Sequence, residues 1–319
     1  MQTSIFLVNR EPYCLWEPDL RERNAEFLKG LDPEYFEYSL NAHTATEDEK
    51  RASIALRTSL HHGVETLFSL IGAYVQAPDC AYAWIAKCSN ADLRELVQRV
   101  TEGDKALFQK VNISSVSWKG IAKSILHPCA PRTDRYAKIA ELFGVLWARL
   151  AHELTDKTHI DEYNALKHGF RVQRGGFGIA VGIEHQYGVP PPESEMHTLG
   201  ISDFGTSFFK VESLGNDKNN RSIRSRRISV NWPIERIVLL MQLTYFSINN
   251  VVSALRIVNG WPVEKCKFLY PREEEEFERP WQVTAGVTSM SIDYVVDEGN
   301  TRPVTKQELL DKIRLHKEG

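Results

Sequence analysis

Apolar residues recur at spacings of three and four along three well-separated stretches of the chain. In the first, Leu56, Leu60, Val64, Leu67, Ile71 and Tyr74 make one stripe, which predicts an amphipathic helix over 46–76. Thr46 and Glu49 have the spacing of a capping box at its start, and Pro78 closes it. In the second, Tyr136, Ile139, Ala140, Phe143, Trp147, Leu150 and Leu154 predict a helix over 133–155. The third opens at Pro233, runs to 258 and stops at Asn259-Gly260-Trp261-Pro262. It is apolar on most faces, so its expected place is central, between the other two. Gln242, Asn249, Asn250 and Arg256 interrupt it, which favours a buried core helix over a membrane span. Shorter helices are expected over 19–31, 91–100, 117–126, 160–168 and 305–316, the last with a Thr305–Glu308 capping box. The first forty residues otherwise read as irregular, with a short strand over 4–9.

Between 170 and 231 the period changes from that of a helix to that of a strand. Strands are expected over 170–174, 177–184, 207–213 and 223–231. The turn formers at 214–220 join the last two as an antiparallel hairpin. Residues 283–296 have room for two more strands. The fold class read from this order is mainly α with a small β element: a helical bundle of three long helices plus shorter ones, with an inserted antiparallel β-hairpin region. The expected organisation is a helical domain over 1–270 with the β insertion at about 170–231, then a tail over 271–319 with short strands and a final helix.

Composition changes this picture little. The chain of 319 residues is 42% hydrophobic and 25% charged, which excludes a disordered chain, a collagen-like chain and a long coiled coil. The net charge of −3 excludes a globally basic nucleic-acid coat, though the average hides a basic cluster at 221–227 and an acidic run at 273–276. The five cysteines are scattered, without zinc-finger or CxxC spacing, and read as reduced thiols. The apolar stretch at 5–8 is too short for a signal-peptide core, so a cytoplasmic protein is expected.

Four groups of residues could carry chemistry. Asn164 and His168 share a face at the end of one helix, with Lys167 beside them and Arg171 and Arg174 just beyond. A His among cations can act as acid–base or grip a phosphate, while Lys167-His168-Gly169 also reads as an ordinary helix stop. Arg57 and His61 share a face, with Glu65 one turn on, either as a functional polar row or as the satisfied flank of a helix contact. Arg221, Arg224, Arg226 and Arg227 fall in one hairpin, with Lys210 and Lys218 near them and Phe208 and Phe209 on the partner strand. Such an arm can lie along a nucleic-acid backbone or serve as a solvated, aggregation-resistant edge, and the two phenylalanines either stack bases or pack on the bundle. His152, Glu153, Asp156, His159 and Asp161 lack the paired Glu-x-x-His of di-iron bundles, and neither a metal nor a cofactor is expected. There is no Walker A loop, GxSxG elbow, HExxH or kinase signature, and Gly175-Gly-Phe-Gly178 lacks a βαβ frame and reads as a bend.

The helical layout, the Asn164-x-x-x-His168 segment at a helix end and the Arg57-x4-His62 spacing resemble the HEPN superfamily. Its members are small α-helical bundles, often ribonucleases or RNA-binding modules, with an Arg, a polar residue that is often Asn, and a His a few residues on. The resemblance implies RNA handling. In the catalytic form His168 is the acid–base group, Asn164 orients it or the substrate, and Arg57 or Arg171 stabilises phosphate charge, with His61 on the Arg57 face. The functional expectation is thus a protein that binds or cleaves RNA or another phosphate-rich ligand. A non-catalytic interaction or scaffold protein, dimeric through its apolar bundle with the arginine hairpin and acidic tail contacting partners, and a metal-dependent enzyme are the alternatives.

Overall fold

The helical pattern is realised in the computed structural model, which describes residues 1–132, 135–168, 171–215, 217–294 and 302–318. The protein is mainly α with small antiparallel sheets. The chain divides into two compact units, Met1–Ile160 with Ile234–Val283, and Asp161–Pro233 with Thr284–Gly319.

The first unit begins with a hairpin of β1 (Gln2–Val8) and β2 (Glu11–Glu17), in which Val8 faces Glu11. Asn9 makes the turn at a φ of 55°, a left-handed conformation that Asn tolerates better than most residues. Sequence periodicity marks β1 but not β2, whose alternation is blurred by Pro12 and by only half-buried inner positions.

Helices α1 (Leu20–Gly30), α2 (Tyr35–Thr44) and α3 (Glu49–Gln76) follow. The α3 cap corrects the expected Thr46–Glu49 box. Asp48 is the N-cap, and its carboxylate accepts the Arg51 N–H at 3.0 Å, while the Thr46 hydroxyl accepts the Asp48 N–H. An Asp one position before the helix satisfies an orphan amide directly and so outcompetes a more distant Thr. Next come α4 (Ala81–Lys87), α5 (Asn90–Thr101), α6 (Trp118–Leu126) and α7 (Tyr136–Thr155). Ser89 and Asp92 form a complete capping box on α5, one residue before the expected start. The expected first turn of α7 at 133–134 lies outside the described residues. The chain then passes through α8 (Lys157–Lys167) into the second unit, and returns as α9 (Ile234–Val258) and α10 (Arg279–Gln282).

The helix at the heart of this unit is α3. It packs on α2, α4, α5, α7 and α9, and every residue from Leu70 to Gln76 is buried. The expectation placed α9 between α3 and α7; instead α3 is the helix on which both pack. Gly72 lets α4 approach α3 closely, because a Cβ there would lie 2.3 Å from the Trp84 ring. Among the described residues α9 alone is long and apolar enough to cross a membrane, and 78% of that window is buried inside the protein. Its polar interruptions are used internally. Asn249 and Asn250 donate to the Lys267 and Leu269 carbonyls, and the Trp147 indole N–H donates to Ser247 at 2.9 Å.

The second unit holds the end of α8, β3 (Gln173–Arg174), β4 (Gly178–Val181), β5 (His197–Ile201), β6 (Gly205–Ser213), β7 (Ile223–Asn231), β8 (Ser289–Asp293) and α11 (Lys306–Glu318). One sheet has the order β3-β6-β7-β8 and a second pairs β4 with β5, all antiparallel. The β6–β7 hairpin is the one expected from the turn formers. The strand expected at 170–174 is cut to two residues, with Gly169 and Phe170 outside the described residues. That at 177–184 shortens to β4, and its partner β5 is one the pattern did not mark. Part of the tail becomes β8; the second strand expected there runs into residues outside the description. The Thr305–Glu308 box caps α11 as expected. Just before it, Val304 accepts the Arg221 N–H and Asn219 accepts the Lys306 N–H, each at 2.6 Å, tying the C-terminal segment to the hairpin tip.

Candidate nucleic-acid interface

The arginine hairpin is where sequence chemistry and tertiary geometry meet. In a strand, alternate residues point to opposite faces, so the register sorts the cluster. On one face, Lys210 lies opposite Arg226 and then Asp293, and Glu212 lies opposite Arg224. Deeper on that face Thr206, Phe208, Ile228 and Val230 are buried. The end of α8 covers it. Glu162, fully buried, accepts the Thr206 hydroxyl at 2.7 Å and the Trp232 indole N–H at 3.0 Å. Asp161 accepts Lys210 at 2.5 Å.

Charges on this inner face are matched. Arg226 pairs with both carboxylate oxygens of Asp293, and Arg224 reaches Glu212 and Asp293 at 3.5 and 3.9 Å. The Arg226 hydrogen bond holds the Asp293 carboxyl below the usual carboxylate range. Burial pulls Lys210 down, but its bonds to Asp161 and Glu212 outweigh that and leave it above its ordinary value. Burial likewise pushes Glu212 up, and the neighbouring cations more than reverse it. Arg224 and Arg226, expected as nucleic-acid contacts, therefore knit β6, β7 and β8 together.

The opposite face is different. Phe209, Arg227 and Ile292 form one row across the three strands, Val211 and Ser225 begin the next, and Ile223 stands nearer the tip. Tyr294 follows β8 and donates its N–H to Ser225, which places it beside that second row. Phe209 is 58% exposed and Tyr294 52%, and their ring centroids lie 6.0 Å apart. Ser225, small and exposed, leaves room for the two rings to meet over β7. Arg227 lies opposite Phe209 on the same face, and its guanidinium donates to the Gln173 carboxamide of β3 at 3.3 Å. Phe208 and Phe209, treated alike in the sequence, thus part company: one is core and one is open to solvent.

The remaining expected contacts scatter. Arg221 is exposed at the hairpin tip, and Arg171 and Arg174 are exposed near β3, with Arg174 on the register of the inner face. Asn164 is half-buried on α8, and its carbonyl accepts the His168 N–H at 3.1 Å; the His168 side chain is exposed. Arg57 is buried in α3 of the first unit, and His61, one turn on, is half-buried with its ring 6.2 Å from that of His159. Glu153, one of the conceivable metal ligands, is engaged by Arg236 at 2.8 Å. No three His, Cys, Asp or Glu side chains among the described residues converge as a metal site.

Sequence reasoning did not find Tyr294 or Ile292. Their alternation with Ser291 and Asp293 is a strand signal, but nothing local says that this strand joins the arginine hairpin across an intervening long helix. Comparison with protein-family models, with curated proteins and with solved structures yields no match.

Proposed function

We propose that the solvent face of the β3-β6-β7-β8 sheet binds single-stranded nucleic acid, with RNA favoured by the HEPN-like resemblance. The observation that supports this is the exposed pair Phe209 and Tyr294, set beside Arg227 on one side of the sheet. Aromatic faces on a sheet accept unstacked bases, and an arginine beside them can stack or hold a phosphate. Arg221 at the tip is a further exposed cation that can meet the backbone, while Arg224 and Arg226 are neutralised within the sheet. Stacking, more than charge, would then carry the affinity.

Fluorescence anisotropy with a labelled single-stranded RNA across a potassium series tests this. Two phosphate contacts give a log–log salt slope of about −1.4, from about −0.7 per contact on a single strand. Stacking is worth ~1–3 kcal/mol per base, so Phe209→Ala or Tyr294→Ala should weaken binding by roughly 5- to 150-fold. RNA affinity unchanged by both substitutions would reject the reading.

A second reading takes the same face as a self-association surface, favoured by the exposed aliphatics Val211, Ile223 and Ile292. Light scattering separates the two: a dimer abolished by Ile223→Glu, with no RNA binding, would replace the first reading. The HEPN-like resemblance, with α3, α7 and α9 as its bundle helices, extends the proposal to cleavage through His168 and Asn164. RNA turnover lost in His168→Ala with binding retained is the expected result.

A further inference from the structure

A cavity of about 480 Å³ lies in the first unit, between α3, α6, the end of α9 and the loop before α6. Its volume falls in the roughly 300–1,000 Å³ range of small-molecule sites. One wall is apolar, built by Val111, Ala254, Ile257 and Val258. At the floor the Tyr74 hydroxyl and the Ser124 hydroxyl meet at 2.9 Å. Burial pushes the Tyr74 phenol up, so that it stays a neutral donor and acceptor. Lys123 and His127 stand one helical turn apart at the mouth, both exposed, and the lining holds no carboxylate among the described residues. The nearby Tyr136 hydroxyl is spent on the Lys123 carbonyl at 2.7 Å, which fixes the end of α6 without using the Lys123 ammonium.

We propose that this cavity is a binding site for a small amphipathic organic anion. The apolar body lies against Val111, Ala254, Ile257 and Val258. The acidic head meets Lys123 and His127. The Tyr74–Ser124 pair offers a hydrogen-bonding position at the floor, and Asn112 and Ser114 add polar groups to the lining. The charge pattern selects the class: the Lys123 ammonium and the His127 imidazole at the mouth, with no acid among the described lining residues, favour an anion and disfavour an amine. The apolar wall excludes a fully hydrated ion such as free phosphate, because it leaves most of the ligand surface without polar partners. This site is independent of the sheet face.

The probe is 8-anilinonaphthalene-1-sulfonate, an aromatic body with a single acidic group, followed by fluorescence titration of the full chain. Saturable binding at one site per chain is expected. Lys123→Gln with His127→Gln should weaken it at least tenfold, and both positions are exposed, so the fold is retained. The neutral analogue N-phenyl-1-naphthylamine should bind the wild type and the double variant within about twofold of each other, which also reports that the cavity is intact. Val258→Trp, at the rim, should weaken both dyes by filling the space. Phe209→Ala should change neither. Dye affinity unchanged by the double substitution, or lost with Phe209→Ala, would overturn the proposal, the second by moving the dye to the sheet.

Discussion

At the residue scale, the most constrained polar group in the first unit is the Gln76 side chain. It is fully buried. It accepts the Asn9 N–H at 2.9 Å and the Trp84 indole N–H at 3.2 Å, and donates to the carbonyls of Asn9 and Phe108. One carboxamide thus holds the left-handed turn of the β1–β2 hairpin against the end of α3. Arg99 adds to the same turn, donating to the Asn9 carbonyl and side chain while paired with Asp104 at 2.7 Å. Gln76→Leu keeps the volume but orphans the buried Asn9 N–H, while the Asn9 carbonyl keeps its bond from Arg99. Such a group costs roughly 1–3 kcal/mol, so a loss of about 1–3 kcal/mol is expected in urea unfolding. Nothing in the sequence distinguishes Gln76 from a polar residue at a helix end. Its role depends on a turn 67 positions earlier in the chain.

At the element scale, glycine position decides how helices approach. Gly72 in α3 faces Trp84, which is itself fully buried. A methyl group there overlaps the indole, and the core around it is closed. Gly72→Ala should therefore destabilise by about 1–3 kcal/mol, even though Ala is the better helix former by ~1 kcal/mol. Gly30, the last residue of α1, has open space around it. Gly30→Ala should be neutral or stabilising by up to about 1 kcal/mol. Opposite signs for the two denaturation midpoints are the check. The long helices were legible because their apolar stripes span many turns. The short elements β2, β5 and α2 were not, because few residues in each are buried and their pattern comes from neighbours distant in sequence.

At the scale of the whole molecule, the second unit is assembled from two separated pieces of chain, 161–233 and 284–319. The last piece looks like a tail, yet it supplies β8, the Asp293 partner of Arg224 and Arg226, and the segment that binds the hairpin tip. Removing residues 284–319 opens the edge of β7 and leaves two arginines without Asp293. Such a truncation should lose protection of β6 and β7 amides in hydrogen exchange and should aggregate, as an unpaired strand edge does. Protection unchanged from the full chain would show the tail to be dispensable. By itself the sequence determined where the long helices run, where the β6–β7 hairpin turns and where positive charge collects, because periodicity, caps and turn formers act over a few residues. Tertiary structure alone decided which arginines are spent inside the sheet and which face solvent, that Phe208 is core while Phe209 is exposed, and that Tyr294 stands beside it. Those outcomes depend on strand register between segments some sixty residues apart, and a one-residue change of register moves every side chain to the other face.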